Sequence, residues 1–356
     1  MITVENLSKV YGASGSTPAV NDVSFSVASG EICVLIGPSG CGKTTPLRMI
    51  NRLVTPSAGR ILINGSDTSA INTVDLRRSI GYVIQQVGLF PNMTVEQNIS
   101  VVPSLLGWDG TRMRARATEL LSMVGLEPGS FLGRFPNQLS GGQQQRVGVC
   151  RALAADPPLL LMDEPFGAID PISRESIQDE FLQMQKKLRK TVLLVSHDID
   201  EAVKLGDKIA IFRGGRLEQF GTPEEVLTAP ANDFVAGFVG ADRTLKRLRR
   251  FKAEQICQPV AIAQGGHIEV TIDGIAGTIQ VNEHLHVVNS QVGGVAIGWA
   301  SVAMHMDLRV VASELLAQGV AWLPCVDATG RLQGVVSLAG LSRHLATSRA
   351  ARQPEA

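Results

Sequence analysis

No apolar run in this sequence approaches the ~20 residues a helix needs to cross a bilayer; the apolar residues come in short pieces such as LLLM at 159–162 and VLLV at 192–195. The chain is not expected to span a membrane. The first residues, MITVENLSKVYG, lack the basic-then-apolar order of a secretion leader, so a cytoplasmic setting is expected. Net charge is lacking too: 33 Lys and Arg balance 33 Asp and Glu. That leaves no basic field to gather nucleic acid, which is not expected as a partner, and no acidic excess of the disordered kind. Cysteine is sparse, at positions 33, 41, 150, 257 and 325, an odd number without the paired spacing of a disulfide framework or zinc site. His284 and His286 would share a strand face, but with no third ligand nearby they read as a solvated surface rather than a metal site.

The 356 residues leave room for two domains. Over the first ~235, short β-branched or apolar runs alternate with helical patterns and glycine-rich turns, as in a mainly parallel sheet covered by helices. EICVLIG at 31–37, PLLLMDE at 158–164 and TVLLVSH at 191–197 are strands of that kind. Residues 111–126 repeat apolar positions at helical spacing and precede Pro128 and Gly129, which predicts a helix ending there. The run RTLKRLRRFK at 243–252 holds six Lys or Arg and marks a change of composition. It reads as a solvated helical connector within a linker at 236–254, or as a patch for anionic headgroups. Beyond it, residues 255–346 form a second domain and 347–356 a disordered tail.

Residues 37–44, GPSGCGKT, have the form G-x-x-x-x-G-K-[ST] after an apolar strand and before a helical pattern. Glycines at 37, 40 and 42 let successive backbone N–H groups converge on phosphate oxygens, and Gly37, Pro38, Ser39, Gly40, Cys41, Gly42, Lys43, Thr44 and Thr45 form the expected nucleotide cradle. Lys43 would neutralise β- and γ-phosphates and the Thr44 hydroxyl would ligate magnesium. Pro46 has no N–H, and its ring presses on the carbonyl of Gly42, so the start of this helix is expected to be weakened if the proline lies beyond the first turn.

In LLLMDEP at 159–165 a strand ends in two adjacent acids that alternation points in different directions. Asp163 suits the magnesium shell and Glu164 the attacking water. His197 ends a third strand on the side where ligands sit, within reach of a γ-phosphate or of Glu164, and Gln85 is a neutral side chain for magnesium or water.

LSGGQQQR at 139–146, ahead of the acidic pair, gives the set its identity: here the chain resembles the ATP-binding subunits of ABC transporters over residues 1 to about 235. Tyr11 ahead of the first strand pair, Gln85, GAID at 167–170 and His197 match as well. The resemblance implies a P-loop NTPase with a RecA-like α/β core sheet and a helical subdomain, ATP and Mg2+ as cofactors, and Tyr11 stacked on adenine. It implies that Ser140, Gly141, Gly142 and Gln143 bind the γ-phosphate held by a second copy, with Asp170 at the seam of an ATP-sandwich homodimer. Permease subunits would dock near residues 87–98, with a separate substrate-binding protein, at the cytoplasmic face of the membrane.

The stretch 311–345 resembles a CBS module, a smaller α+β unit whose first half, 255–306, has no clear repeat; HIEVTIDGIAGTIQV at 267–281 is either an eroded copy or an edge sheet. With such a tail the chain resembles importers for glycine betaine, proline betaine, carnitine or choline. The alternatives are an ABC ATPase of another importer, a soluble non-transport ABC ATPase, or a regulatory ATP-binding protein.

Overall fold

The computed structural model describes residues 1–12, 17–85, 88–167, 169–261 and 266–350. The chain divides into two compact units, Met1–Ala241 and Asp242–Ala356.

In the first unit the strands are β1 (Ile2–Lys9), β2 (Val20–Val27), β3 (Ile32–Ile36), β4 (Ala58–Ile63), β5 (Ser66–Asp67), β6 (Ile80–Val83), β7 (Leu159–Asp163), β8 (Thr191–Val195), β9 (Lys208–Arg213) and β10 (Arg216–Gly221). Six of them form one sheet in the order β10-β9-β3-β8-β7-β6, parallel except for β10 at the edge. Every residue of β3, β7 and β8 is buried, which is why these strands read as unbroken apolar runs. Alternation sends Val34, Leu160, Met162 and Leu194 into one core and Leu35, Leu159, Leu161 and Leu193 into another. Truncating any of these leucines to Ala would cost about 2–5 kcal/mol.

The first core is closed by helices that include Gly110–Met123, Gly141–Leu153 and Pro171–Leu188. The second is closed by the helix Thr44–Ile50 and by a separate antiparallel sheet, β2-β1-β4-β5, that residue patterning did not anticipate. Its alternation is broken where the β1–β2 register shifts between Val4 and Leu7, around Asn6 at φ +47°. The helix expected to run to residue 126 ends at Met123, and Gly125 at φ +68° turns the chain. Pro128 does not stop that helix; it opens the next one, Pro128–Phe131, as its first residue.

The second unit carries β11 (Gln258–Pro259), β12 (His267–Ile272), β13 (Ile275–Val281), β14 (Val287–Val292), β15 (Val295–Ala296), β16 (Val302–Ala303), β17 (Trp322–Val326) and β18 (Leu332–Ser337). One sheet, β11-β18-β17-β16, packs with the helices Leu308–Gln318 and Leu338–Ala350; the other, β12-β13-β14-β15, is an antiparallel meander. Residues 267–281 are thus the hairpin β12–β13, turning at Asp273 and Gly274 with φ +53° and +81°, and not a helix-containing copy of 308–350. Trp322 joins the two sheets: it is fully buried and donates its indole N–H to the Ile275 carbonyl at 3.1 Å.

The stretch 236–254 is not a free linker. Val235 and Val239 belong to the first unit's core, whereas Leu248 and Ala253 belong to the second unit's. Lys246 and Arg247 are buried, with Lys246 bonded to Asp242, so two of the six cations face inward on their alkyl stems. The last helix continues to Ala350, four residues into the stretch expected to be disordered; 351–356 lie outside the described residues.

Candidate functional site

The phosphate loop leaves β3 at Gly37 and enters the helix Thr44–Ile50. Two of its glycines have no substitute: Gly37 (φ +147°) and Gly42 (φ +101°) would place a Cβ 2.2 Å from the Phe212 carbonyl oxygen and 2.3 Å from that of Ala19. The backbone is therefore pressed against β9 on one side and the start of β2 on the other. Gly40 (φ +75°) has open space around it and serves the turn alone. Pro46 is the third residue of its helix, inside the first turn, where an N–H would have no intrahelical partner anyway. The Gly42 carbonyl, which that N–H would have approached, accepts the Thr45 N–H at 3.2 Å, so Pro46 leaves no unpaired group there.

An open cleft lies over the loop, lined by Ala19, Ser39, Gly40, Gly42, Lys43, Thr44, Thr45, Gln85, Glu164 and His197. Lys43 is buried and donates to the carbonyls of Gly37 (2.7 Å) and Pro38 (2.9 Å), with the Cys41 thiol at 3.7 Å. Cys41 itself is buried.

Thr44 Oγ1 donates to Asp163 Oδ1 at 3.0 Å, which brings a hydroxyl and a carboxylate together at the cleft floor. Burial raises the Asp163 carboxyl, opposed by the Thr44 hydrogen bond and by Arg48. Hard oxygen donors converging beside a phosphate cradle fit a magnesium ion. Glu164 sits at φ +45°, a costly conformation for a non-glycine residue, fixed by its N–H donating to the Val195 carbonyl at 3.0 Å. Its Oε2 accepts from Gln85 Nε2 at 3.0 Å and lies 3.4 Å from His197 Nδ1. Gln85, Glu164 and His197, from three separate loops, thus meet at one oxygen. His197 lies two residues beyond β8 and not at its end.

Tyr11 stands in the loop joining β1 to β2, after the first strand and not ahead of the pair. It is half exposed, outside the residues lining the cleft, with the Lys9 ammonium 5.1 Å from its ring centre. The Ser140 segment is also outside the cleft of its own chain. Ser140 caps the helix Gly141–Leu153 through a reciprocal pair, its Oγ accepting the Gln143 N–H and its N–H donating to Gln143 Oε1. Gly141 has open space around it, and Gly142 faces Ile177. Ala168 of GAID and Val87 of the docking stretch lie outside the described residues; Asp170 is exposed. His284 is in the turn between β13 and β14, its N–H and that of His286 both donating to Asn282, and no third metal ligand joins them among the described residues.

Residue patterning missed a buried group behind His197. Glu201, in the helix Ile199–Leu205, accepts the Ser196 hydroxyl and Gln178 Nε2, the latter at 3.4 Å, and burial pushes its carboxyl up to about 7.

Compared with known proteins, residues 20–167 match the sequence pattern of the ABC transporter family. The chain is 50% identical, over 99% of its own length and 98% of the relative's, to the osmoprotectant import ATP-binding protein OsmV of Salmonella typhimurium. It is 44% identical to the choline transport ATP-binding protein OpuBA of Bacillus subtilis, covering 96% and 95% of the two chains. Among solved structures it is similar to a dimeric, post-hydrolysis state of the ATP-binding cassette MJ0796 bound to ADP and Pi, with a TM-score of 0.56 and 35% identity, over 62% of this chain and 98% of that one.

Proposed function

Because the chain belongs to the ABC transporter family, as an ATP-binding subunit that hydrolyses ATP to drive import, we propose that its importer carries quaternary-amine osmoprotectants such as glycine betaine, proline betaine, carnitine or choline. The observation that carries this is 50% identity along nearly the whole chain, tail included, to an osmoprotectant import subunit. Uptake of radiolabelled glycine betaine or choline by vesicles containing this chain and the permease that co-purifies with it tests the proposal. ATP-dependent uptake of either solute is expected; a permease that moves only sugars or peptides would overturn it.

In the working cycle the glycine loop and Lys43 would hold the ATP phosphates, while Glu164 orients and polarises the attacking water and His197 steadies the γ-phosphate beside it. Thr44, Asp163 and Gln85 would hold magnesium, which when bound neutralises charge developing on the phosphate oxygens. Tyr11 would lie against adenine. This assignment draws on the Thr44–Asp163 bond and the meeting of Gln85 and His197 at Glu164.

Subunits of this family pair and work with membrane permeases, so the chain is peripheral to a membrane. In the reading proposed here, Ser140, Gly141, Gly142 and Gln143 complete the partner's nucleotide site across a two-fold axis, with Asp170 at the seam. The permease would meet the surface near Phe90 and Met93, both exposed, beside an open groove bordered by Phe90, Val101, Val102 and Arg151. A substrate-binding protein would deliver the solute from the opposite side, leaving this chain on the cytoplasmic face. The order β16, helix, β17, β18, helix in the second unit supports a single CBS-like motif there.

A further inference from the structure

Glu201 is an acid with only 8% exposure in a helix otherwise buried through Ala202, Val203 and Leu205, and nothing in the hydrolytic scheme above uses it. Its carboxylate joins two elements. On one side it accepts the hydroxyl of Ser196, the residue before His197, and that Oγ in turn accepts the Asp198 N–H at 3.0 Å. One hydroxyl therefore fixes the turn that presents His197. On the other side the carboxylate accepts from Gln178 in the helix Pro171–Leu188, whose first residue follows Asp170. Arg174 of the same helix donates from its guanidinium to the Ile169 carbonyl at 2.9 Å, and its charge faces Glu201. The remaining charged neighbour, Asp198, is engaged in capping, accepting the N–H groups of Asp200 (2.8 Å) and Glu201 (3.4 Å).

Burying a carboxylate is costly, and an apolar residue would fill this position without that cost. What the acid supplies is two acceptor oxygens on one rigid plane, so that donors from two elements are held in register; a neutral amide accepts on one oxygen only. We propose that Glu201 is a positioning residue for ATP hydrolysis, locking the His197 turn to the helix that starts at the Asp170 segment. Closure of a second subunit on that segment would then be felt at His197 and, through it, at Glu164. The inference rests on the dimeric ATPase reading above.

Steady-state ATP hydrolysis by the full-length protein tests it. Glu201→Ala is expected to lower kcat about tenfold and leave KM for ATP within twofold, because a small misplacement of His197 affects the reacting geometry more than nucleotide binding. Glu201→Gln, which fills the site and keeps one acceptor, should recover kcat to within about threefold of the parent. Gln178→Ala, which cuts only the link to the helix, should fall between. A kcat for Glu201→Ala within twofold of the parent would overturn the proposal, and so would a loss matched by an equal loss of protein able to bind ATP. Should Glu201→Ala not fold, Gln178→Ala and Ser196→Ala decide: unchanged kcat in both rejects the link. The parent and Glu164→Gln are run beside them. Absence of turnover in the parent would count against the ATPase reading, whereas normal turnover with an unaffected Glu201→Ala would remove only the positioning role.

Discussion

The phosphate loop and the Ser140 segment are both helix starts rich in glycine, yet they are built for opposite situations. The loop is pressed against β9 and β2 by Gly37 and Gly42 and opens onto a cleft that its own chain furnishes with Lys43, Thr44, Gln85, Glu164 and His197. The Ser140 segment closes its own cap with Gln143 and borders no part of that cleft. One lines a cleft of its own chain; the other, in the reading proposed above, completes the cleft of a second copy. This difference makes a two-fold pair the economical arrangement, and the following tests probe it from the largest effect to the smallest.

Glu164→Gln acts on the loop side alone and should reduce kcat by about 10³-fold with ATP affinity retained. Light scattering of the variant with ATP should report a stable dimer, whereas a variant that turns over normally would remove Glu164 from its role. Lys43→Ala should weaken ATP binding about 100-fold, roughly 2.7 kcal/mol, as read by titration calorimetry. Ser140→Ala should behave differently, leaving the ATP affinity of the separate chain unchanged and costing about 1 kcal/mol of helix capping while turnover falls about tenfold. Mixing Lys43→Ala with Ser140→Ala subunits gives dimers with one intact site, so recovery of activity above either parent variant is the sharpest check of the comparison.

Two smaller effects follow. The Glu201 carboxyl is raised from 4.5 to about 7, so the folded chain holds a proton that the unfolded chain releases. Its contribution to stability is intact below pH 4.5 and is lost as pH rises toward 7, by about 3 kcal/mol at most. Glu201→Gln should flatten the fall in Tm between pH 5 and 8 by several degrees, and an unchanged pH profile would contradict the shift. Pro46→Thr should change ATP affinity and turnover less than twofold, since the proline lies in the first helical turn.

How much of this was legible in the residues depends on how each group is buried. β3, β7 and β8 are enclosed on both faces and announce themselves as apolar runs, and the loop glycines announce a backbone that must approach other backbone. The sheet β2-β1-β4-β5 was hidden because the bulge near Asn6 breaks its alternation. Glu201 was hidden because an acid on a short helix after a capping Asp looks like a solvated face, and only the fold brings Ser196 and Gln178 to it. The basic run at 243–252 misled in the same way: lysine and arginine stems are apolar enough to pack, and Lys246 and Arg247 do so while sequence composition counts only their charge.

The burial of Trp322 has an optical consequence. The chain holds three tryptophans, and only Trp108, its ring under the Arg112 guanidinium at 3.5 Å, lies in the nucleotide-binding unit. In the other unit Trp299 is 78% exposed whereas Trp322 is sealed from water. With Trp299→Phe, emission from that unit comes from a sealed indole alone, so a red shift marks its opening, and quenching by iodide isolates the signal of Trp108. The two units of an unlabelled protein can then be followed separately by their own fluorescence.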